Sequence, residues 1–148
     1  MTAEDDVGQA SARFYAAITQ MLRGDAGAMA EVWSHEADVT TMHPLGGRQV
    51  GWEQVRPTWE QVAQLASGGQ VRLDDQLVRV TGDLAYEVGT ERGEGTLAGQ
   101  TIQFEQRVTN IYRREAGGWK MVHHHTDTVP AMQDLVRRLQ AQQGQTTT

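Results

Sequence analysis

All five histidines of the chain fall in two short segments. His35 and His43 lie within Ser34–Gly47, and His123, His124 and His125 close the run Gly118–Asp127. Histidine titrates nearest to neutral pH, so it moves protons readily and ligates metals. The two segments are about eighty residues apart. They can share chemistry only if the fold brings them together.

One reading makes His43 a general base and His125 its acid partner, with Tyr86 or Tyr112 as a further donor. Such a set suits enolisation, aldol-type cyclisation or dehydration, in which one group removes a proton and another stabilises the oxyanion. Alternatively, His43 caps a turn and His125 is a buried, hydrogen-bonded structural residue. His123 and His125, two apart on a strand, could also join His43 as ligands of an open zinc-type site. A His-x-His pair alone is a weak pattern, and no metal or other cofactor is assigned. Cysteine is absent, which excludes disulfides and thiolate chemistry. Arg107 with Thr109 could hold a carboxylate, bicarbonate or enolate; an ion pair of Arg107 with Glu87 or Glu105 is the plainer reading. Trp33, Trp52, Trp59 and Trp119 shape a pocket or, more commonly for large aromatics, fill a core. Glu36 and Asp38 could orient a histidine or cap the Val39 segment.

The elements that must position these groups follow from periodicity. Residues 4–23 carry Val7, Ala10, Phe14, Ile18, Met21 and Leu22 at helical spacing, and Gly24-Asp25 stops the helix. A short helix carries Met29, Val32 and Trp33. Val39–Met42 is a short β-rich stretch, followed by a Pro44-Leu45-Gly46-Gly47 turn. A third helix is expected over 52–66, with Pro57 implying a kink or a late start, and Ser67-Gly68-Gly69 ending it. Beyond residue 70 the period falls to two, with strands expected near 70–81, 84–93, 100–114 and 118–127 and short turns between them. Met132, Leu135, Val136 and Leu139 mark a last short helix after Pro130. Arg137-Arg138 reads as a favourable charge pair at its end. The expected organisation is a single domain over 1–141 and a polar tail, 142–148, without structure.

On the last strand, regular alternation puts Trp119, Met121, His123 and His125 on one face. Glu105, Arg107, Thr109 and Ile111 share a face of the strand before it, with Phe104, Val108 and Tyr112 opposite. A patch of Arg107, Thr109, His123 and His125 in an apolar wall would be a small-molecule site of the usual kind.

Composition bounds the partners. The 148 residues suit one domain with a real core. Thirteen Lys and Arg against nineteen Asp and Glu leave a formal net charge of −6, which argues against nucleic acid. No stretch has the length of a membrane span, and the acidic start, Met1–Asp6, carries no apolar signal region. A soluble cytoplasmic protein is therefore expected.

The helices, the four-strand meander and two segments resemble the SnoaL-like branch of the nuclear transport factor 2 / ketosteroid isomerase superfamily. The segments are Trp33-Ser34-His35 through Gly51-Trp52 and Arg107-Val108-Thr109 through His125. The resemblance spans about residues 7–128. It implies an α+β cone, with N-terminal helices packed in a curved antiparallel sheet and a pocket at the open end. Isomerases, cyclases, dehydratases, epoxide hydrolases, iota-class carbonic anhydrases and association domains share that fold, so it does not settle activity. The isomerases place their Asp base in an Asp-Pro-Val-Gly type segment. Here that position reads His43-Pro44-Leu45-Gly46, and Tyr15 matches their helix-one tyrosine. The His-His-His ending resembles the iota-class anhydrases, which continue Ser-Ser where this chain has Thr126-Asp127.

The expectation is thus an acid–base isomerase, lyase or cyclase for a small, partly apolar carbonyl or carboxylate substrate. His43, His125 and Tyr112 would be catalytic; Arg107, Thr109, His123, Tyr86, Trp33, Trp52 and Tyr15 would bind substrate. A homodimer through the sheet is expected, with no nucleic-acid or membrane partner. An anhydrase-like hydratase and a non-catalytic binding or association domain are the alternatives.

Overall fold

The computed structural model describes residues 2–146. Helix α1, Ala3–Leu22, opens on a reciprocal cap: Thr2 Oγ1 accepts from the Asp5 amide at 3.1 Å, and the Asp5 carboxylate accepts from the Thr2 amide at 3.1 Å. Its expected apolar stripe is buried from Val7 to Leu22. The chain continues through α2 (Met29–Val32), β1 (Thr40–His43), β2 (Gly46–Val50) and α3 (Trp52–Leu65). The meander follows: β3 (Ala66–Thr81), β4 (Leu84–Leu97), β5 (Gln100–Glu115) and β6 (Gly118–Thr126). Helix α4, Pro130–Thr146, runs through residues assigned above to the polar tail; Thr147 and Thr148 lie outside the described residues.

The six strands form one curved, unclosed sheet in the order β2-β1-β6-β5-β4-β3. The pairs within the meander are antiparallel, whereas β1 runs parallel to β6, pairing Thr40, Thr41 and Met42 with His123, His124 and His125. The sheet is therefore mixed, and this parallel pairing is what joins the two histidine segments. Residues expected to form only a turn after His43 instead lead directly into β2, a short edge strand.

One face of the sheet packs on α1 and α3. Phe14, Trp33, Trp59, Tyr112 and Met121 lie in that core. Pro57 sits inside α3 without delaying its start at Trp52, and buried Val55, Trp59 and Ala63 hold the helix to the core on either side of it. At Gly93 the backbones of β3 and β4 approach closely. A Cβ at Gly93 would lie 2.1 Å from the Gln70 carbonyl oxygen, so only glycine allows that approach. Near the same end of the β3–β4 pair, α4 buries Met132 and Leu135 against Ala66, Leu97 and Ile102. No helix among the described residues is long and apolar enough to cross a membrane.

Candidate functional site

Alternation along β6 breaks at one residue. Tyr112 pairs with Met121, but the preceding Ile111 pairs with His123, so Val122 is an extra residue on β6. Such a bulge reverses which face later side chains take. Trp119 and Met121 point inward as expected; beyond the bulge His124 and Thr126 point inward instead. His124 is 2% exposed, whereas His123 is half-buried and His125 exposed on the outer face. The expected pairing of His43 with His125 across a hollow is therefore corrected: the ring facing His43 belongs to His124, with centroids 6.2 Å apart.

His43 is itself 5% exposed and set edge-on to Trp59, 4.6 Å between centroids. The Thr58 hydroxyl donates to the Val55 carbonyl at 2.6 Å, so toward His43 it accepts, at 2.9 Å from Nε2. That assigns the proton of His43 to Nε2 and leaves Nδ1 with its lone pair. Likewise, Asn110 donates through Nδ2 to Tyr15 Oη and to Glu87, so its Oδ1 accepts from His124 Nδ1 at 2.7 Å. The proton of His124 is thus on Nδ1, and Nε2 keeps the lone pair. Burial pushes the His43 pKa down to about 4. Burial first, then neighbouring His43, holds His124 well below the ordinary histidine value. Both rings are neutral at physiological pH.

Two carboxyl groups complete the interior. Tyr15 Oη donates to Glu91 at 2.8 Å and Gln106 Nε2 donates at 2.8 Å. Burial raises the Glu91 pKa to about 7 against the lowering effect of those two donors, with Glu87 adding repulsion. Glu87 is fully buried and accepts from Gln76, Asn110 and Tyr112 at 2.6, 2.9 and 2.9 Å. His43, His124, Glu91 and Gln106 line a half-closed, mainly apolar cavity of about 60 Å³, together with Trp59, Phe104, Leu97 and Met132.

The other expected site residues are placed as follows. Tyr15 and Tyr112 are in the interior network, Tyr15 on Glu91 and Tyr112 on Glu87; burial raises the pKa of both phenols. Trp33 is a core residue stacked on Trp52, which stacks in turn on His35. The patch expected to line the pocket lies instead on the outer face. There Arg107 makes a two-pronged ion pair with Asp127 at 2.9 and 3.1 Å, in place of Glu87 or Glu105. Thr109 and His125 share an open outer groove with it. His123 Nδ1 lies 2.6 Å from Thr40 Oγ1, and Tyr86 is 47% exposed. Asp38 pairs with Arg113 at 2.7 Å and orients no histidine ring. Among the described residues, no group of three His, Cys, Asp or Glu side chains is gathered that could hold a metal ion.

Sequence reasoning gave no site role to His124, Glu91, Gln106, Asn110 and Thr58, and named Glu87 only as an ion-pair partner for Arg107. A signal was present for two of them. Gln106 and Asn110 alternate with Phe104, Val108 and Tyr112, so they are polar residues on an apolar face. Buried polar groups of that kind must find partners, and these two hold Glu91 and His124.

The model of the SnoaL-like domain matches residues 7–132. No curated protein matches the chain. Among solved structures, a candidate dehydratase of the NTF2-like family from Streptomyces avermitilis is 30% identical, with a TM-score of 0.75, over 85% of this chain and 95% of its own. A candidate calcium/calmodulin-dependent protein kinase type II association domain from Thiobacillus denitrificans is also 30% identical, with a TM-score of 0.61, over 81% and 92%. An NTF2-like superfamily protein from Salmonella enterica, 18% identical over 85% and 90%, has a TM-score of 0.76 and so shares the fold.

Proposed function

The chain belongs to the SnoaL-like domain family of NTF2-like proteins, and from that premise we propose that it is an acid–base lyase or isomerase acting on a small, partly apolar carbonyl compound in the interior cavity. One observation carries this reading. A carboxyl group with a pKa of about 7 and an imidazole with a pKa of about 4 line the same cavity. Environments that push two titratable groups apart in this way assign the acid and the base. At neutral pH a large share of Glu91 holds its proton, while His43 offers a bare Nδ1.

In an elimination, His43 Nδ1 takes the proton from the carbon next to the carbonyl, and the C–H electron pair becomes the new C=C bond. The C–O bond to the β-hydroxyl breaks as Glu91 delivers its proton to the leaving oxygen, releasing water. A proton then passes from His43 back to Glu91, and the balance closes. The same pair moves a proton from one carbon to another in an isomerisation. His124 is the neighbouring acceptor, held in register by Asn110, and Tyr15 with Gln106 stabilises the Glu91 carboxylate once the proton has left. The likeness to a candidate dehydratase supports this direction.

The test uses diacetone alcohol for dehydration and an unconjugated cyclohexenone for isomerisation, both followed by ultraviolet absorbance of the conjugated product. His43→Ala and Glu91→Gln are each expected to lose about a hundredfold or more in kcat/KM while keeping the native circular dichroism. Rates unchanged in both folded variants would remove these residues from the mechanism.

A second reading concerns assembly. Leu77, Tyr86, Val88 and Ile111 sit on the sheet face away from α1 and α3, with Tyr86 47% and Leu77 42% exposed. That strip supports a homodimer through the sheet, and the likeness to a candidate association domain points the same way.

A further inference from the structure

The hydrogen-bonding surface of the cavity is one-sided. The N–H of His43 is committed to Thr58 and that of His124 to Asn110, so the second nitrogen of each of these two cavity-lining imidazoles is an acceptor. Gln106 spends its amide N–H on Glu91, and its own carbonyl oxygen is buried with no hydrogen-bond partner among the described residues. An acceptor left in that state carries its full desolvation penalty until a donor reaches it. The charge is one-sided as well. Among the described residues, no lysine or arginine lines the cavity, whereas Glu91 does and Glu87 lies behind it. Arg107, the residue whose fork would suit a carboxylate, is on the outer face and held by Asp127. Trp59, which lines the cavity, has a buried indole N–H with no hydrogen-bond partner among the described residues; it is a neutral donor and brings no charge to offset an anion.

We infer that the cavity takes uncharged small molecules through a hydroxyl group and turns away carboxylates. A hydroxyl brings the donor that Gln106 Oε1 lacks, and its oxygen accepts from the protonated Glu91 or from Trp59. A carboxylate brings acceptors to a wall of acceptors and a second negative charge beside Glu91, with the full cost of leaving water. An ammonium brings donors, but must give up its hydration in a mainly apolar cavity where its natural partner, Glu91, keeps a large share of its own proton at neutral pH. The enclosed volume of about 60 Å³ holds only a few heavy atoms, so it takes the hydroxyl end of a ligand while the remainder extends through the open side of the cavity. The inference deepens the lyase or isomerase reading and rests on it in taking this cavity as the ligand site; within that reading it names β-hydroxy carbonyl compounds in place of hydroxy acids.

Three probes of similar size separate the possibilities: benzyl alcohol, benzoate and benzylammonium, titrated at neutral pH into the isotope-labelled full chain. The Trp59 indole and Gln106 side-chain amide signals are followed by NMR. Benzyl alcohol should move both signals and bind at least about tenfold more tightly than either charged probe. Gln106→Leu should erase most of that preference, and Leu45→Trp, which fills the cavity, should abolish the shifts. Equal or tighter binding of either charged probe overturns the inference. So do shifts that map away from the cavity, or no alcohol binding up to about 20 mM. Because binding is read without turnover, carboxylate binding together with loss of turnover in His43→Ala would sink this inference and leave the acid–base reading standing.

Discussion

Glu91 and His43 owe their properties to the same cause acting on opposite charge types. Burial disfavours the charged form, so it raises a carboxyl and lowers an imidazole. The consequences for stability have opposite signs. Folded Glu91 binds its proton up to about pH 7 and the unfolded side chain only up to 4.5, so its contribution to stability falls as pH rises through that window. Folded His43 is neutral down to about pH 4 and the unfolded ring titrates at 6.5, so its contribution rises with pH between those values. In wild type the two trends largely offset one another. Glu91→Gln removes only the first. Its stability relative to wild type should therefore grow by about 3 kcal/mol between roughly pH 4.5 and 7 and then level off. Thermal or urea unfolding of both proteins across that range checks this, and a difference that does not change with pH would show that Glu91 titrates normally.

Element by element, two backbone devices build the site. The bulge at Val122 chooses which histidine of three enters the cavity. The glycine contact of β3 with β4 lets the two backbones approach closely, on the strand whose Glu91 meets Tyr15 of α1. Gly93→Ala should cost about 2–3 kcal/mol, because its methyl group would press into the Gln70 carbonyl and the strands would have to part. Gly8→Ala is the control. It lies within α1 with no atom within 4 Å of an added Cβ, and it should gain about 0.5–1 kcal/mol from helix propensity alone. Melting temperatures moving in opposite directions would bear this out; a neutral Gly93→Ala would show that the strand pairing does not depend on that contact. Much of this level is legible in sequence. Helix α1 and the turns around Gly82 and Gly117 are where periodicity and Gly-containing turn signals put them, whereas β3 starts at Ala66 and takes in Ser67-Gly68-Gly69, and β4 runs past residue 93 to Leu97. The parallel β1–β6 pair is not, since a four-residue strand carries no mark of its partner.

For the whole molecule, the sheet has one covered face and one with an apolar strip. The covered face holds the cavity, capped by α4 through Met132. The open face holds Tyr86, Leu77 and the groove of Arg107, Thr109 and His125. A stable dimer would need about 800 Å² of that face per subunit. Tyr86→Asp combined with Leu77→Asp should convert a dimer to a monomer in analytical ultracentrifugation, with turnover reported separately. Monomeric wild-type protein at micromolar concentration would remove the sheet-mediated dimer.

The amino-acid sequence by itself determined the residue types available for proton chemistry, the exclusion of thiolate chemistry, the helices and strands, and the family to which they belong. These are local properties: side-chain chemistry, spacing along one element, and turn residues at its ends. Tertiary structure alone decided that His124 faces His43, that Arg107 faces out, and that Glu91 sits in a low-dielectric interior. Those outcomes depend on strand register. One unpaired residue on β6 reverses the face of each side chain after it, and a carboxyl group acquires its altered pKa only from what distant segments pack around it.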